Sequence, residues 1–422
     1  MKKIIFALSL FTLTYSLPTY AQLKPIEGFE SKEMGIMTPM ISYENSELQG
    51  LYVEKLESWM AKATEGNLKE KIGKELKSND CGNVAFDPAA VTLCGRTGNF
   101  DVTYTGFTPE AQAAFQYALD IWSRVIDLPV PVKADISFVN TGNPNNLGGS
   151  FQPWIWNLMT GVSFPSALAD QLIGADIHTL PMWNTTDPWY DAPDIRIVMN
   201  SSRTDWYFGL DGCLAPNQQD FVSTAIHEIG HGLGFFSRDR HFPAGTPIPE
   251  LGNSTFAVDI ECFGSSGGFP PYVFDQFIFS PQYGVTFDIL NGICFGGQNI
   301  LTNNDLLYVG PNGIACNGGA PVPLFSPGNY LPGSSTSHWD EATFPGPDPD
   351  FGAQTPFGGF GEAIHDPGCT LAALRDIGYT TADEVPLCEV VPTMGEWGLM
   401  SLGLLLLILG VVTIKSRKLV FG

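Results

Sequence analysis

Positive charge is what this chain has least of: 21 Lys and Arg stand against 44 Asp and Glu in 422 residues, a formal charge of -23. Most of the imbalance lies between residues 95 and 380, where 28 acidic residues face eight basic ones. Such a body repels nucleic acid and anionic membrane surfaces, so no nucleic-acid partner is expected. Internal repeats are absent, which excludes solenoid and propeller architectures. No two of the eight cysteines stand in C-x-x-C spacing, which argues against a cysteine-built zinc site. There are only six histidines, so a close grouping of them carries weight. Methionine is missing between Met199 and Met394, an absence that matters below.

What remains is an ordered, folded composition: 44% hydrophobic residues and 15% charged ones. The 46 glycines and 32 prolines imply long irregular loops. Residues 1–21 join two lysines, an apolar run and small residues at Thr19 and Ala21, the pattern of a cleaved secretory signal. Export places the cysteines in an oxidising compartment, where an even number suggests disulfides. Cys81 with Cys94 and Cys294 with Cys316 are the expected local pairs. At the other end, Gly398–Ile414 is an uncharged apolar run of 17 residues followed by Lys415, Arg417 and Lys418. That length can just span a bilayer, with residues 415–422 as a basic cytoplasmic tail and the rest of the chain outside. Residues 22–94 read as a helical leader, with Leu51, Leu56, Trp59 and Met60 at helical spacing; a propeptide and a small helical subdomain are both open.

The strongest motif is the string VSTAIHEIGHGLGFF. His227 and His231 lie four residues apart, which puts both imidazoles on one face of a helix, while Glu228 is turned toward the water such a metal would hold. This is the spacing of a zinc metalloprotease site with its general base. Val222, Ile226, Ile229 and Leu233 form a second stripe that would bury the helix, and Asp220 offers an N-cap. Gly230 and Gly232 cost helix stability, which suggests a close backbone approach, and Gly234 suits a left-handed stop. Upstream, Pro109–Asp127 is expected to be a core helix with Ala113, Phe115, Ala118, Ile121, Trp122 and Val125 on its buried face. Strands are expected around Ile136 and over DIRIVMN, where Ile195, Ile197 and Met199 alternate with Arg196, Val198 and Asn200. If the second lay at a sheet edge beside the metal, it could hold an extended peptide; a plain interior strand is the other reading.

Catalytic zinc usually takes three protein ligands, so one more must lie beyond the helix. The residue at the short-motif position is Ser237, a poor ligand. His178 lies upstream, and His241 stands at the wrong spacing and is expected at the surface. His338, in GSSTSHWDEATF, and His365, in EAIHDPGCTLAALRDIGY, are each far enough along for a loop to bring them back, and an acidic residue is also open.

HEIGHGLGF, then about a hundred residues, then SHWDE and LAALRDIGY resembles the leishmanolysin-like metzincin metallopeptidases and their secreted bacterial relatives, over about residues 95–380. The helix PEAQAAFQYALDIW and the string WYFGLDG add to the likeness. The resemblance implies an α+β fold in which a twisted sheet backs an active-site helix, followed by an irregular, loop-rich C-terminal subdomain. It implies Zn2+ held by His227, His231 and His338, with Glu228 as the catalytic base of a peptide hydrolase. One departure is plain: the stretch FGAQTPFGG has Gln354 where relatives carry methionine below the metal, so two readings are open, an apolar floor built differently with Phe357 or Phe360 nearby, or an impaired site. VPTMGEWG, the apolar run and the basic tail resemble the IPTL-CTERM sorting signal of Gram-negative bacteria, with residues 381–397 as linker and motif. That implies an exported protein of the cell envelope or surface, handled by the sorting machinery and either anchored or released.

The leading expectation is therefore a zinc endopeptidase acting on protein or peptide substrates outside the cytoplasm. A catalytically silent surface protein using the same scaffold for adhesion is the rival, favoured by the missing methionine and by Trp154, Trp156, Trp183 and Trp189 in aromatic-rich loops.

Overall fold

The computed structural model describes residues 41–44 and, a few short loop stretches apart, 100–381. The signal segment, nearly all of the leader, the sorting motif, the apolar run and the Cys81–Cys94 pair lie outside the described residues. Among the described residues no helix is long and apolar enough to cross a membrane.

The fold is mixed α and β. Its main sheet contains β2 (Phe100–Thr105), β3 (Val132–Val139), β4 (Gly148–Phe151) and β7 (Ile195–Asn200), in the order β2, β3, β7, β4. The first three run parallel, and β4 is antiparallel to β7. A parallel pair needs a crossover, and helix α1 (Pro109–Val125) makes the one between β2 and β3. Thr108 caps α1 by accepting from the Ala111 N–H at 3.2 Å, and Pro109 stands at its first position, where a missing N–H costs nothing. The buried face is Ala111, Ala114, Phe115, Ala118, Ile121 and Trp122. Ala113, expected in that face, is exposed. The expected alternation of the last parallel strand holds, with Ile195, Ile197 and Met199 buried. That strand is interior, however, paired with β3 on one side and β4 on the other, and β4 forms the edge. Any edge pairing beside the site therefore belongs to Gly148–Phe151.

β4 is followed by β5 (Trp154–Met159) and β6 (Val162–Pro165), an antiparallel pair to which β1 (Ile41–Glu44) adds in parallel along β5. Helix α2 (Ser166–Ile173) follows directly. Helix α3 (Phe221–Leu233) lies between α1 and the main sheet. Val222, Ile226, Ile229 and Leu233 are all fully buried, and the Trp122 indole N–H donates to the Ile226 carbonyl at 3.1 Å. Four apolar side chains of that size contribute several kcal/mol of burial and leave α3 little freedom to turn.

Beyond Gly234 regular structure thins out. Strands of two or three residues form one small sheet from Arg240–Phe242, Ile260–Cys262 and Cys294–Gly296, and another between residues 278 and 323. Two short helices, α4 (Pro311–Cys316) and α5 (Thr370–Ile377), pack together. Cys294 bonds to Cys262 rather than to Cys316, because the register of their paired strands sets those residues opposite each other with Cα atoms 4.1 Å apart. Cys316 closes instead on Cys369, at the head of α5. The short separation of Cys294 and Cys316, with 21 residues between them, was a poor guide, since pairing follows spatial neighbours. One hydrophobic core runs through both halves, and a small second cluster lies under Ile248 and Ile260.

Candidate metal centre

Three imidazoles converge. The Nε2 atoms of His227 and His231 are 3.0 Å apart, and each lies 3.1 Å from Nε2 of His338. Nitrogens about 2.0–2.1 Å from a tetrahedral zinc stand roughly 3.3 Å apart, so the triangle is close to the size such an ion needs. The opposite ring atoms fix the tautomers. Nδ1 of His227 donates to the Ala353 carbonyl at 3.0 Å, that of His231 to Phe235 at 2.6 Å, and that of His338 to Ser334 at 2.8 Å. A carbonyl can only accept, so each Nδ1 carries the proton and each Nε2 turns a bare lone pair toward the other two. Three converging acceptors with no donor between them are mutually repulsive and fit a cation. The three are the one such group of metal-binding side chains among the described residues. Burial holds the rings neutral: it lowers His227 to about 3, helped by the neighbouring His231, lowers His231 to about 4, and sends His338 well below its ordinary value.

The helix supplies two of these residues by its own period. Asp220 caps it, its carboxylate accepting from the Ser223 N–H at 2.7 Å and the Ser223 hydroxyl at 2.6 Å. Gly234 ends it at φ 127°, where a side chain would meet Ile377 and Pro165. Each histidine-bearing turn is also tied by a glutamine that sequence reading did not single out for this purpose. Gln354 Nε2 donates to the His227 carbonyl at 3.2 Å, and Gln152, immediately after β4, donates to the His231 carbonyl.

His338 arrives on an irregular loop, and its neighbours explain how that loop stays buried. The Ser335 hydroxyl accepts from the Leu331 N–H, and Phe325 exchanges backbone bonds with Thr336 and His338. Thr336 sits at φ 67°, a strained conformation for a β-branched residue, and is held there by these contacts. Trp339 is fully buried against Phe235, Tyr308 and Phe351, and its backbone N–H donates to the Gln354 carbonyl at 3.0 Å. Ser237 turns out to bear on the site after all. Its backbone N–H donates to the Ser337 hydroxyl at 3.0 Å, one residue before His338.

The other histidines lie elsewhere. His365 bonds through Nε2 to the Asp220 carboxylate at 2.9 Å and so supports the cap of α3 rather than the triangle. His178 is buried against Trp156 and hydrogen-bonds Ser166 at 3.1 Å. His241, expected at the surface, is largely covered: it stacks on Tyr330 with carboxylates of Asp259 and Glu261 each 3.6 Å away.

The floor also differs from expectation. Phe357 and Phe360 are 54% and 57% exposed and line nothing beneath the triangle. Gln354 itself fills that place, fully buried, with Oε1 against Gly230, where an added Cβ would come within 2.5 Å. The close approach expected at Gly230 and Gly232 is thus made by side chains, Gln354 at the first and Ile195 with Ser150 at the second.

Glu228 is buried, with no hydrogen bond to a described residue, and burial pushes its carboxyl up to about 8. A dication in the triangle would favour the ionised form. Gly148 of β4 lies beside Glu228: an added Cβ there would come 3.1 Å from Glu228 Oε1, 3.0 Å from the Val198 carbonyl and 3.2 Å from Met199 Sδ. The edge strand therefore packs closely on the carboxylate at a residue without a side chain.

Among families, the model described as SPBPB7E8-like matches residues 99–241, about a third of the chain. The match takes in His227, Glu228 and His231 and ends before His338. No curated protein and no solved structure matches the chain.

Proposed function

We propose that the protein is a zinc-dependent endopeptidase of metzincin type, leishmanolysin-like, that hydrolyses peptide bonds outside the cytoplasm. The observation carrying this reading is the set of three Nε2 lone pairs aimed at one point, each tautomer fixed by a backbone carbonyl, with an unbonded carboxylate on the next residue of the helix. His227, His231 and His338 are the residues that would hold the ion. Bound zinc would act as a Lewis acid on the substrate carbonyl and on the attacking water.

The chain's own groups do the rest. Glu228 takes the proton from the attacking water and passes it to the leaving amine, so no covalent enzyme intermediate is needed. Among the described residues no strand pairs with the outer edge of β4, so an extended peptide can add there, beside the Gly148 that packs on the Glu228 carboxylate. The Cys262–Cys294 and Cys316–Cys369 disulfides fit an exported protein. Sorting through the C-terminal segment, and attachment to the envelope, belong to the same proposal. The adhesion reading loses support from two of its tryptophans, since Trp156 is buried and Trp183 packs against it at 6.0 Å.

The test is the Glu228→Gln variant, which removes the base and keeps the shape. Peptidase activity should fall about 10²–10⁴-fold, with one zinc per chain retained by metal analysis. Undiminished hydrolysis by this variant, or activity that survives chelation, would defeat the proposal.

A further inference from the structure

A cavity of about 310 Å3 opens at the head of β4, lined among others by Leu147, Arg203, Asp205, Gln219, Gly358 and Phe360. It is bounded by the same two segments that touch the candidate centre. Leu147 precedes Gly148, the neighbour of Glu228, and Gly358 lies four residues beyond Gln354, which braces His227. Gln219 stands one residue before the Asp220 cap of α3, and from that cap to Glu228 is eight residues of helix, roughly 12 Å at about 1.5 Å each. An extended peptide advancing about 3.3 Å per residue along β4 reaches the cavity about three or four residues from the reacting carbonyl.

The cavity's chemistry is specific. Gln219 is 4% exposed, yet its carboxamide makes no hydrogen bond to a described residue and lies against Gly358. Its donor and acceptor are not used by a described residue, so both are available to a side chain that enters the cavity. Arg203 and Asp205 are already paired, Nε to Oδ1 at 3.0 Å and a terminal nitrogen to Oδ2 at 2.6 Å, and Arg203 also donates to the Pro144 carbonyl at 2.9 Å. The pair is neutral overall, so a charged side chain entering beside it would bring an uncompensated charge. Leu147 and the exposed ring of Phe360 give apolar walls for a stem.

We infer that this cavity is a substrate subsite, remote from the scissile bond, that selects a neutral side chain with an apolar stem and a hydrogen-bonding end, tyrosine or glutamine, through the Gln219 carboxamide. The inference rests on the endopeptidase reading for the identity of its ligand. A site built to bond a hydroxyl discriminates against the analogue that lacks it, because its own polar group is then left unpaired.

Cleavage-site profiling on a mixed peptide pool should show tyrosine and glutamine enriched over phenylalanine, lysine and glutamate at one position about three or four residues from the cut. For matched peptides, wild type should prefer tyrosine to phenylalanine about tenfold in kcat/KM, the effect of roughly one well-made hydrogen bond. Gln219→Met, which keeps length and burial, should bring that ratio near one, the tyrosine peptide losing its hydrogen bond and the phenylalanine peptide gaining because no amide is left unpaired beside it. Phe360→Ala, at an exposed position that does not endanger folding, should weaken both peptides alike. Equilibrium binding of the same two peptides to Glu228→Gln, alone and combined with Gln219→Met, reads the subsite without turnover. Cleavage without positional preference, or a preference that survives Gln219→Met, overturns the subsite and leaves the peptidase standing. Absent cleavage with a Gln219-dependent binding ratio overturns the peptidase and leaves the subsite standing.

Discussion

The two halves of this molecule reach the same point by different means. Residues 100–234 deliver His227 and His231 by helical periodicity, on a helix clamped between α1 and a four-stranded sheet. Residues 235–381 deliver His338 on a loop with almost no regular structure around it, held by hydroxyl and backbone bonds, a buried tryptophan and two disulfides. A periodic element places ligands through its geometry, whereas a loop must be fixed contact by contact. The second arrangement is the more fragile, and it depends on side chains distant in sequence.

The sharpest way to break the comparison is to take one ligand from each half. His227→Ala and His338→Ala should both weaken zinc binding more than about a hundredfold, since loss of even an outer partner costs about 10–100-fold. Metal analysis after dialysis reads this directly. His365→Ala should keep its zinc, because that ring sits on Asp220. A variant lacking His365 that loses the metal while His338→Ala retains it would exchange the two assignments.

Next in size are the staples of the irregular half. Replacing Cys316 and Cys369 together by alanine should cost about 2–4 kcal/mol, seen as a lower midpoint in denaturant. Hydrogen exchange should then rise first around residues 311–377 and the His338 loop and stay slow in α1 and α3. Equal loosening of both halves would mean that they unfold as one unit and that the contrast drawn above has no thermodynamic counterpart.

The same contrast governs what could be read from the sequence. The 221–233 helix, its cap and its buried stripe were legible because each depends on residues a few positions apart. The alternation of Ile195, Ile197 and Met199 was legible for the same reason, yet its place inside the sheet was not, since β4 is a four-residue strand containing two glycines. His338 came from a likeness to SHWDE in a known family; nothing in its own spacing separated it from His365. Ser237 bonding Ser337, His365 bracing Asp220, and Gln152 on the His231 carbonyl join residues 79 to 145 positions apart, and no local pattern announces them. The Cys294–Cys316 pairing failed on the same ground.

A smaller effect tests the support of the helix itself. Asp220→Ala removes the acceptor for the Ser223 N–H and leaves His365 without its partner, so a loss of about 1–2 kcal/mol is expected. His365→Ala should cost less, because the cap bond survives. Thermal unfolding of the two variants and their combination gives the coupling between them, and strictly additive losses would show that His365 does not act through the cap.

The smallest change concerns the floor. Gln354→Met removes a carboxamide whose nitrogen bonds the His227 carbonyl and whose Oε1 is buried without a partner. The carbonyl keeps its place in the helical ladder, so its loss is a second bond, while the variant no longer buries an unpaired oxygen. The two effects oppose each other, and the side chains are close in volume, so the net change should lie within about 1 kcal/mol. The backbone contacts of this segment, Ala353 to His227 Nδ1 and Gln354 to the Trp339 N–H, do not depend on the side chain. Zinc affinity should therefore stay within a few-fold of the wild type in a competition titration. A large loss of affinity with unchanged thermal stability would mean that the amide itself positions His227, and that the regular half also needs a distant side chain to hold its ligand.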